Sequence, residues 1–165
     1  MSTVFNFTFV PWFRAVAPYI HMHRGKTFVV GVVGEAIAAG KLASIATDLA
    51  LIQSMGVKIV LVHGFRPQVN EQLRAKGYEP HFYKGTRVTD SVALDCALEA
   101  AGQLRYEVEA AFSQGLPNTP MAGATVRVIS GNFLTARPVG IVDGVDYQHS
   151  GLVRKVDATA IQTML

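Results

Sequence analysis

Hydrophobic positions change their spacing along the chain, and each change predicts a different element. Two runs, Thr27 to Val33 and Val57 to Val62, are almost continuously apolar and rich in β-branched residues, which predicts two strands. The second run is of the kind found in a parallel strand buried on both faces. Helical spacing follows over Leu42 to Met55 and over Pro67 to Lys76, and the Ala-rich stretch through Gly40 predicts a loop. Strand and helix in alternation predict an α/β layered domain with a right-handed crossover.

The longest helical pattern runs from about Ser91 to Phe112, with Thr89 or Asp90 as its cap. Its apolar side is predicted to consist of Val92, Cys96, Ala101, Leu104, Val108, Ala111 and Phe112.

Shorter patterns follow this helix. Gly115 to Gly123 contains two prolines and predicts a loop, and Thr125 to Ile129 alternates like a strand. Residues 131–155 carry five glycines and prolines between short apolar pieces, which predicts small strands or a hairpin. Asp157 to Leu165 opens another helix without a stop signal, so the chain is expected to finish inside an element.

An aromatic stripe precedes the first strand. Bulky apolar residues recur there at helical spacing, and Pro18 is expected to limit or kink the last turn. The stripe consists of Phe9, Trp12, Phe13, Val16 and Ile20. Two interpretations remain open, since an amphipathic helix packs either on its own domain or on another subunit.

The amino-acid composition argues against several classes of protein. A chain of 165 residues that is half apolar and 16% charged should form one packed domain rather than a disordered chain. Its apolar runs are too short to cross a membrane, and its 15 Lys and Arg are scattered, which gives little support for a nucleic-acid partner. A single cysteine, Cys96, excludes an internal disulfide and favours a reducing, cytoplasmic compartment. No residue set resembles a metal site.

Two glycine loops follow the two strands and are candidate pocket loops. Gly34 and Gly64 stand at strand carboxyl ends, where open parallel sheets bind ligands, although such glycines also serve simply to allow tight turns. Neither loop has the spacing of a Walker or dinucleotide fingerprint. Arg87, just before a helix cap, could offer a bidentate fork to a carboxylate, and Arg66 in the second loop has the same ambiguity between a ligand contact and a surface ion pair.

Several longer motifs occur in one order along the chain. They are Trp12-Phe13-Arg14, Ala17-Pro18-Tyr19-Ile20, Arg24-Gly25-Lys26-Thr27, His63-Gly64-Phe65-Arg66-Pro67, Arg87-Val88-Thr89-Asp90, Gly131-Asn132-Phe133-Leu134 and Asp143-Gly144-Val145-Asp146. In this order they resemble the amino acid kinase-like domain of bacterial N-acetylglutamate synthases. The resemblance implies a three-layer α/β sandwich with a mainly parallel sheet, and it covers the N-terminal part of that domain over 25–165, preceded by an oligomerisation arm over 1–24.

Departures from the active kinases of this fold bear on the chemistry. Those kinases carry a lysine near the end of the first strand and a glycine pair after it, where this chain has Gly31 and Val33. Phe65 and Arg66 replace small glycines of the second loop and are expected to fill space that a phosphoryl group needs. Loss of a positioned charge costs several kcal/mol of transition-state stabilisation, on the order of 3 kcal/mol for one donor. A working acetylglutamate kinase is therefore disfavoured.

The resemblance also implies partners. Synthases of this family acetylate L-glutamate with acetyl-CoA in a separate C-terminal domain, bind L-arginine as feedback inhibitor, and form ring-shaped homo-oligomers through the N-terminal helix. No catalytic residue, cofactor or metal is therefore expected in this chain, which by itself should be inactive. Tyr19 is a candidate arginine contact, whereas Gly34, Gly64, Arg66 and Arg87 would be vestiges of the kinases' acyl-amino-acid pocket. The alternative is a stand-alone, non-catalytic oligomerisation or amino-acid-binding module.

Overall fold

A computed structural model of the protein describes residues 9–114 and 122–165. Most of the predicted loop from Gly115 to Gly123, and the first eight residues of the predicted arm, lie outside the described residues. The helices are α1 (Phe9–His23), α2 (Gly34–Ala38), α3 (Leu42–Ser54), α4 (Arg66–Ala75), α5 (Ser91–Ser113) and α6 (Ala158–Met164). The strands are β1 (Thr27–Val32), β2 (Lys58–His63), β3 (Phe82–Tyr83), β4 (Thr86–Arg87), β5 (Leu134–Pro138), β6 (Ile141–Val142), β7 (Val145–Asp146) and β8 (Gly151–Val156).

Strands β1 and β2 pair in parallel, as the two apolar runs predict. The register runs from Thr27 opposite Lys58 to Val32 opposite His63. Burial on both faces, predicted for the second run, is wrong for the described part of the chain, because no residue of β2 is buried and Val62 is 53% exposed. Alternate residues of β1 are exposed as well. Successive side chains of a strand point to opposite faces, so the described elements cover only one face of this pair.

A short helix, α2, replaces the loop predicted for the Ala-rich stretch. Glu35, Ala36 and Ala38 are good helix formers, and Ile37 of this helix is buried. Gly40, at a φ of +71°, ends the segment in a conformation that glycine adopts without strain. The predicted helices over Leu42 to Met55 and Pro67 to Lys76 are confirmed as α3 and α4.

The core lies between α4 and α5. Val69 and Leu73 of α4 pack with three small residues of α5, namely Ala93, Cys96 and Ala100. Cys96 is fully buried and acts as a small hydrophobe. Of the two candidate caps of α5, the Asp90 carboxylate accepts a hydrogen bond from the Ala93 amide at 2.8 Å.

The predicted apolar side of α5 is only partly correct. Cys96, Leu104 and Val108 are buried, whereas Val92, Ala101, Ala111 and Phe112 are only half-buried. Ala93 and Ala100 are buried instead, because small side chains let α4 approach closely, and alanine gives only a weak hydrophobic signal in sequence.

The end of the chain forms an antiparallel ribbon, which confirms the predicted short strands. Strand β5 pairs with β8, and between them lies the β6–β7 hairpin. The strand predicted over Thr125 to Ile129 is wrong, since these residues alternate in burial but have no strand partner in the described chain. The final helix is confirmed, with the Asp157 carboxylate accepting from the Ala160 amide at 3.0 Å.

Helix α1 continues five residues past Pro18, to His23, so the proline does not end it. None of its residues is buried. The helix is joined to the rest of the chain near its C-terminal end, where His23 meets the Phe28 ring at 5.3 Å and the Gly25 amide donates to the Gly56 carbonyl at 2.7 Å.

Candidate functional site

The two glycine loops meet at the carboxyl ends of β1 and β2. A Cβ atom on Gly34 would lie 2.8 Å from Cδ of Pro67 and 3.0 Å from the Gly64 carbonyl oxygen. The Gln68 side-chain amide donates to the Gly34 carbonyl at 3.3 Å. Gly34 is buried in this contact, which favours a role in close backbone packing over a role in lining an open pocket.

Two predicted site residues, Arg66 and Arg87, converge on one aromatic ring. The guanidinium carbon of Arg87 lies 4.8 Å from the centroid of the Phe82 ring, and that of Arg66 lies 5.5 Å from it. Arg66 begins α4, while Phe82 and Arg87 are register partners in the antiparallel β3–β4 pair. Residues 21 positions apart in sequence therefore form one basic cluster, Arg66–Phe82–Arg87, stabilised by cation–π contacts.

Hydrogen bonding leaves part of this cluster unsatisfied. Nη2 of Arg87 donates to Oδ1 of Asn70, whereas Nη1 of Arg87 is buried and has no hydrogen-bond partner among the residues that the structure describes. Nη2 of Arg66 donates to the Gly85 carbonyl at 3.4 Å. Burial, and after it the neighbouring positive charge of Arg66, lower the pKa of Arg87. A bound anion would counteract both effects on Arg87. It would pair with the buried donor, and its negative charge would offset the two like charges.

Sequence reasoning missed Phe82 and Asn70. A lone aromatic residue and a lone asparagine carry no motif, and their contact with Arg87 depends on the fold. The only available signal was the antiparallel spacing of Phe82 to Arg87 around Lys84-Gly85, which is typical of a hairpin.

Phe65 and Gly31, two positions that differ from the active kinases, have different surroundings. Phe65 packs against the α4–α5 core cluster, so the expectation that its ring fills the space for a phosphoryl group is not supported. Burial of an aromatic ring among apolar side chains is favourable and explains this orientation. At Gly31 a Cβ atom would have no atom of the described residues within 4 Å, so the missing lysine does not reflect lack of space in that part of the chain.

Tyr19 and the aromatic stripe lie on α1, outside the Arg66–Phe82–Arg87 cluster. Tyr19 and Trp12 are each about 60% exposed. The Phe9 ring lies 6.1 Å from Trp12 and 5.9 Å from Phe13, so these rings pack on one another along the helix. The stripe is completed by Val16 and Ile20, which are half-buried.

The described residues contain neither a membrane-spanning helix nor a cluster that could bind a metal ion. No helix in 9–114 or 122–165 is both long and apolar enough to cross a membrane. In the same part of the chain, no three His, Cys, Asp or Glu side chains come together in a way that could hold a metal ion.

A model of the amino acid kinase family matches residues 26–165. The chain belongs to this family. The family assignment confirms the α/β class and its parallel sheet element.

Curated relatives carry the name amino-acid acetyltransferase. The chain is 61% identical over 157 residues to that of Ralstonia nicotianae, covering 95% of this chain and 35% of the relative. It is 51% identical over 156 residues to that of Photobacterium profundum, covering 94% of this chain and 35% of the relative. The chain thus spans about a third of the length of these relatives, and the match corresponds to an N-terminal part.

Solved structures of an N-acetylglutamate synthase also match this chain over part of their length. N-acetylglutamate synthase from Neisseria gonorrhoeae, complexed with coenzyme A and L-arginine, matches with a TM-score of 0.85 at 39% identity, covering 95% of this chain and 37% of that one. A second structure of that synthase, complexed with coenzyme A and N-acetyl-glutamate, matches with a TM-score of 0.80.

Proposed function

We propose that the chain is the N-terminal regulatory and assembly portion of an N-acetylglutamate synthase. Such an enzyme would acetylate L-glutamate with acetyl-CoA in the cytoplasm, in the first step of L-arginine biosynthesis, under feedback inhibition by L-arginine. The observation that carries this proposal is 61% identity over 95% of the chain to an amino-acid acetyltransferase. The TM-score of 0.85 to a synthase complexed with L-arginine supports it.

Acetyl transfer would take place outside this chain. The kinase-like fold is shared with phosphotransferases, but Gly31 stands where the active kinases have a phosphate-binding lysine. We therefore assign no catalytic residue, cofactor or metal to the chain. Its proposed roles are to respond to L-arginine, with Tyr19 as a candidate contact, and to assemble subunits.

A chimeric enzyme tests the regulatory role. The matching 157 residues of the Ralstonia relative are replaced by this chain, and release of coenzyme A from acetyl-CoA is measured with L-glutamate, with and without L-arginine. We expect activity that L-arginine inhibits, and weaker inhibition after Tyr19→Ala but not after Tyr106→Ala, which alters another exposed tyrosine, on α5. A folded chimera that does not acetylate glutamate would overturn the proposal.

Assembly is proposed to use the exposed face of α1. Large aromatic side chains that stay in water are unfavourable, and their burial against a second copy would stabilise an oligomer. Light scattering after size-exclusion chromatography should give a homo-oligomer for the chain, and a smaller particle after Trp12→Ser with Phe13→Ser. Ile141→Ser, at another exposed apolar residue, on β6, is the control. Unchanged particle mass in the α1 variant would exclude this face.

A second candidate function concerns the Arg66–Phe82–Arg87 cluster. Nη1 of Arg87 has no partner within 9–114 and 122–165, which favours retained binding of a carboxylate, as in an acyl-amino-acid pocket. Calorimetric titration with N-acetyl-L-glutamate should show binding that Arg87→Ala abolishes and that Arg137→Ala, at an exposed arginine of β5, leaves unchanged. Absence of binding by the unaltered chain would refute this function without affecting the assembly role.

A further inference from the structure

One turn of the C-terminal ribbon contacts both strands of the hairpin that carries Arg87. This clasp turn comprises residues 147–150. The Tyr147 hydroxyl donates to the Tyr83 carbonyl on β3 at 3.1 Å. The Ser150 hydroxyl donates to the main-chain carbonyl of Arg87 on β4. Two side chains of the clasp turn therefore bind one backbone carbonyl on each strand of β3–β4.

Thr89 extends this hydrogen-bond chain. Its hydroxyl oxygen lies 2.8 Å from that of Ser150, and Ser150 has already used its one proton toward Arg87. The Thr89 hydroxyl must then be the donor to Ser150, because each hydroxyl carries a single hydrogen. The backbone reinforces the link, since the His149 amide donates to the Thr89 carbonyl at 3.0 Å.

Burial makes these bonds effective. Tyr147 is only 4% exposed, and its ring meets that of Tyr83 at 6.3 Å. Hydrogen bonds shielded from water are stronger and are costly to leave unmade. An ion pair between Lys84 and Asp143 also joins the two hairpins at 2.6 Å, but both side chains are more than half exposed, so it contributes little.

We propose that Tyr147 and Ser150 are positioning residues that fix the Arg87 guanidinium against Phe82. Phe82 and Arg87 are register partners, so holding both strands fixes the backbone positions from which the ring and the guanidinium extend toward each other. The clasp turn would hold Arg87 ready for a carboxylate without touching that ligand itself. This inference rests on the proposed carboxylate pocket.

Binding measurements give the first test. N-acetyl-L-glutamate is titrated into the chain and into Ser150→Ala, Tyr147→Phe and Ser150→Thr. We expect roughly fivefold weaker binding when a hydroxyl is lost, and near-normal binding for Ser150→Thr, which keeps one. Ser113→Ala is the matched control, because Ser113 also donates to a main-chain carbonyl, that of Glu109, at 2.7 Å but lies at the end of α5.

A second readout needs no ligand and separates the two proposals. The Nε–Hε signal of Arg87 in the NMR spectrum should be displaced by the ring current of Phe82. It should move toward its ordinary position in Ser150→Ala and Tyr147→Phe, but not in Ser113→Ala. If the Arg87 signal moves in these two variants but the unaltered chain does not bind N-acetyl-L-glutamate, the positioning role is supported and the proposed carboxylate pocket is refuted. An unmoved Arg87 signal in either folded hydroxyl-lacking variant would overturn the positioning role.

Discussion

At Gly34 the structure leaves no space for a side chain. The loop pairing that creates this contact was predicted from sequence, because both glycines follow parallel strands and strand ends meet at one edge. The cap at Asp90, one of two candidates, and the burial of Cys96 were predictable from residue type and position in a helical pattern. Phe82 and Asn70 were not, because only tertiary packing brings them to Arg87.

Gly34→Ala should destabilise the fold by about 1–3 kcal/mol, since the added methyl group would overlap Pro67 and the Gly64 backbone. Gly102→Ala is the control. Gly102 lies within α5, where no described residue comes within 4 Å of an added Cβ atom, so alanine should raise stability by up to about 1 kcal/mol. Urea denaturation measures both values. Equal stability of Gly34→Ala and the unaltered chain would contradict the packing role.

Among the elements, long periodic segments were predicted better than short ones. Helices α3, α4 and α5 and strands β1 and β2 appear within a few residues of their predicted bounds. The Ala-rich stretch and Thr125 to Ile129 were assigned wrongly, because a five-residue helix has too few positions to show a period and a strand requires a partner as well as alternation.

Helix α5 offers a matched pair of leucines. Leu104 is 2% exposed and Leu98 is 63% exposed, although they lie six residues apart on the same helix. Leu104→Ala should therefore cost about 2–5 kcal/mol of unfolding free energy. Leu98→Ala should change it by less than about 0.5 kcal/mol. Similar thermal and urea midpoints for the two variants would show that α5 does not pack through the predicted face.

Across the whole molecule, the C-terminal ribbon is attached mainly through the clasp turn. Tyr147 is the one buried residue described in 122–165, while β5 and β8 are exposed along their whole length. The ribbon itself could be predicted from its glycines and prolines. Its attachment could not, because a tyrosine in a polar turn gives no indication of the surface it will meet.

Tyr147→Ala should loosen the ribbon while leaving the α4–α5 core folded. Trypsin should then cleave faster at Arg154 and Lys155 on β8, and helical circular dichroism should stay close to that of the unaltered chain. Tyr106→Ala, at a tyrosine 72% exposed on α5, should leave the cleavage rate unchanged. Equal cleavage rates for the two variants would mean that other contacts hold the ribbon in place.

The clasp turn also bears on how the molecule folds. The bonds from Tyr147 to Tyr83 and from Ser150 to Arg87 join residues 64 and 63 positions apart, whereas the β1–β2 pair and the α4–α5 core join much nearer segments. Closing a longer loop carries a larger entropic cost, and contacts between distant segments form more slowly. We expect the Arg87 side chain to reach its final position against Phe82 late in folding, after the helices and the parallel strands have assembled. During synthesis, the residues of the α4–α5 core would therefore leave the ribosome before the clasp turn does. The geometry of the Arg66–Phe82–Arg87 cluster would be completed after the core has formed.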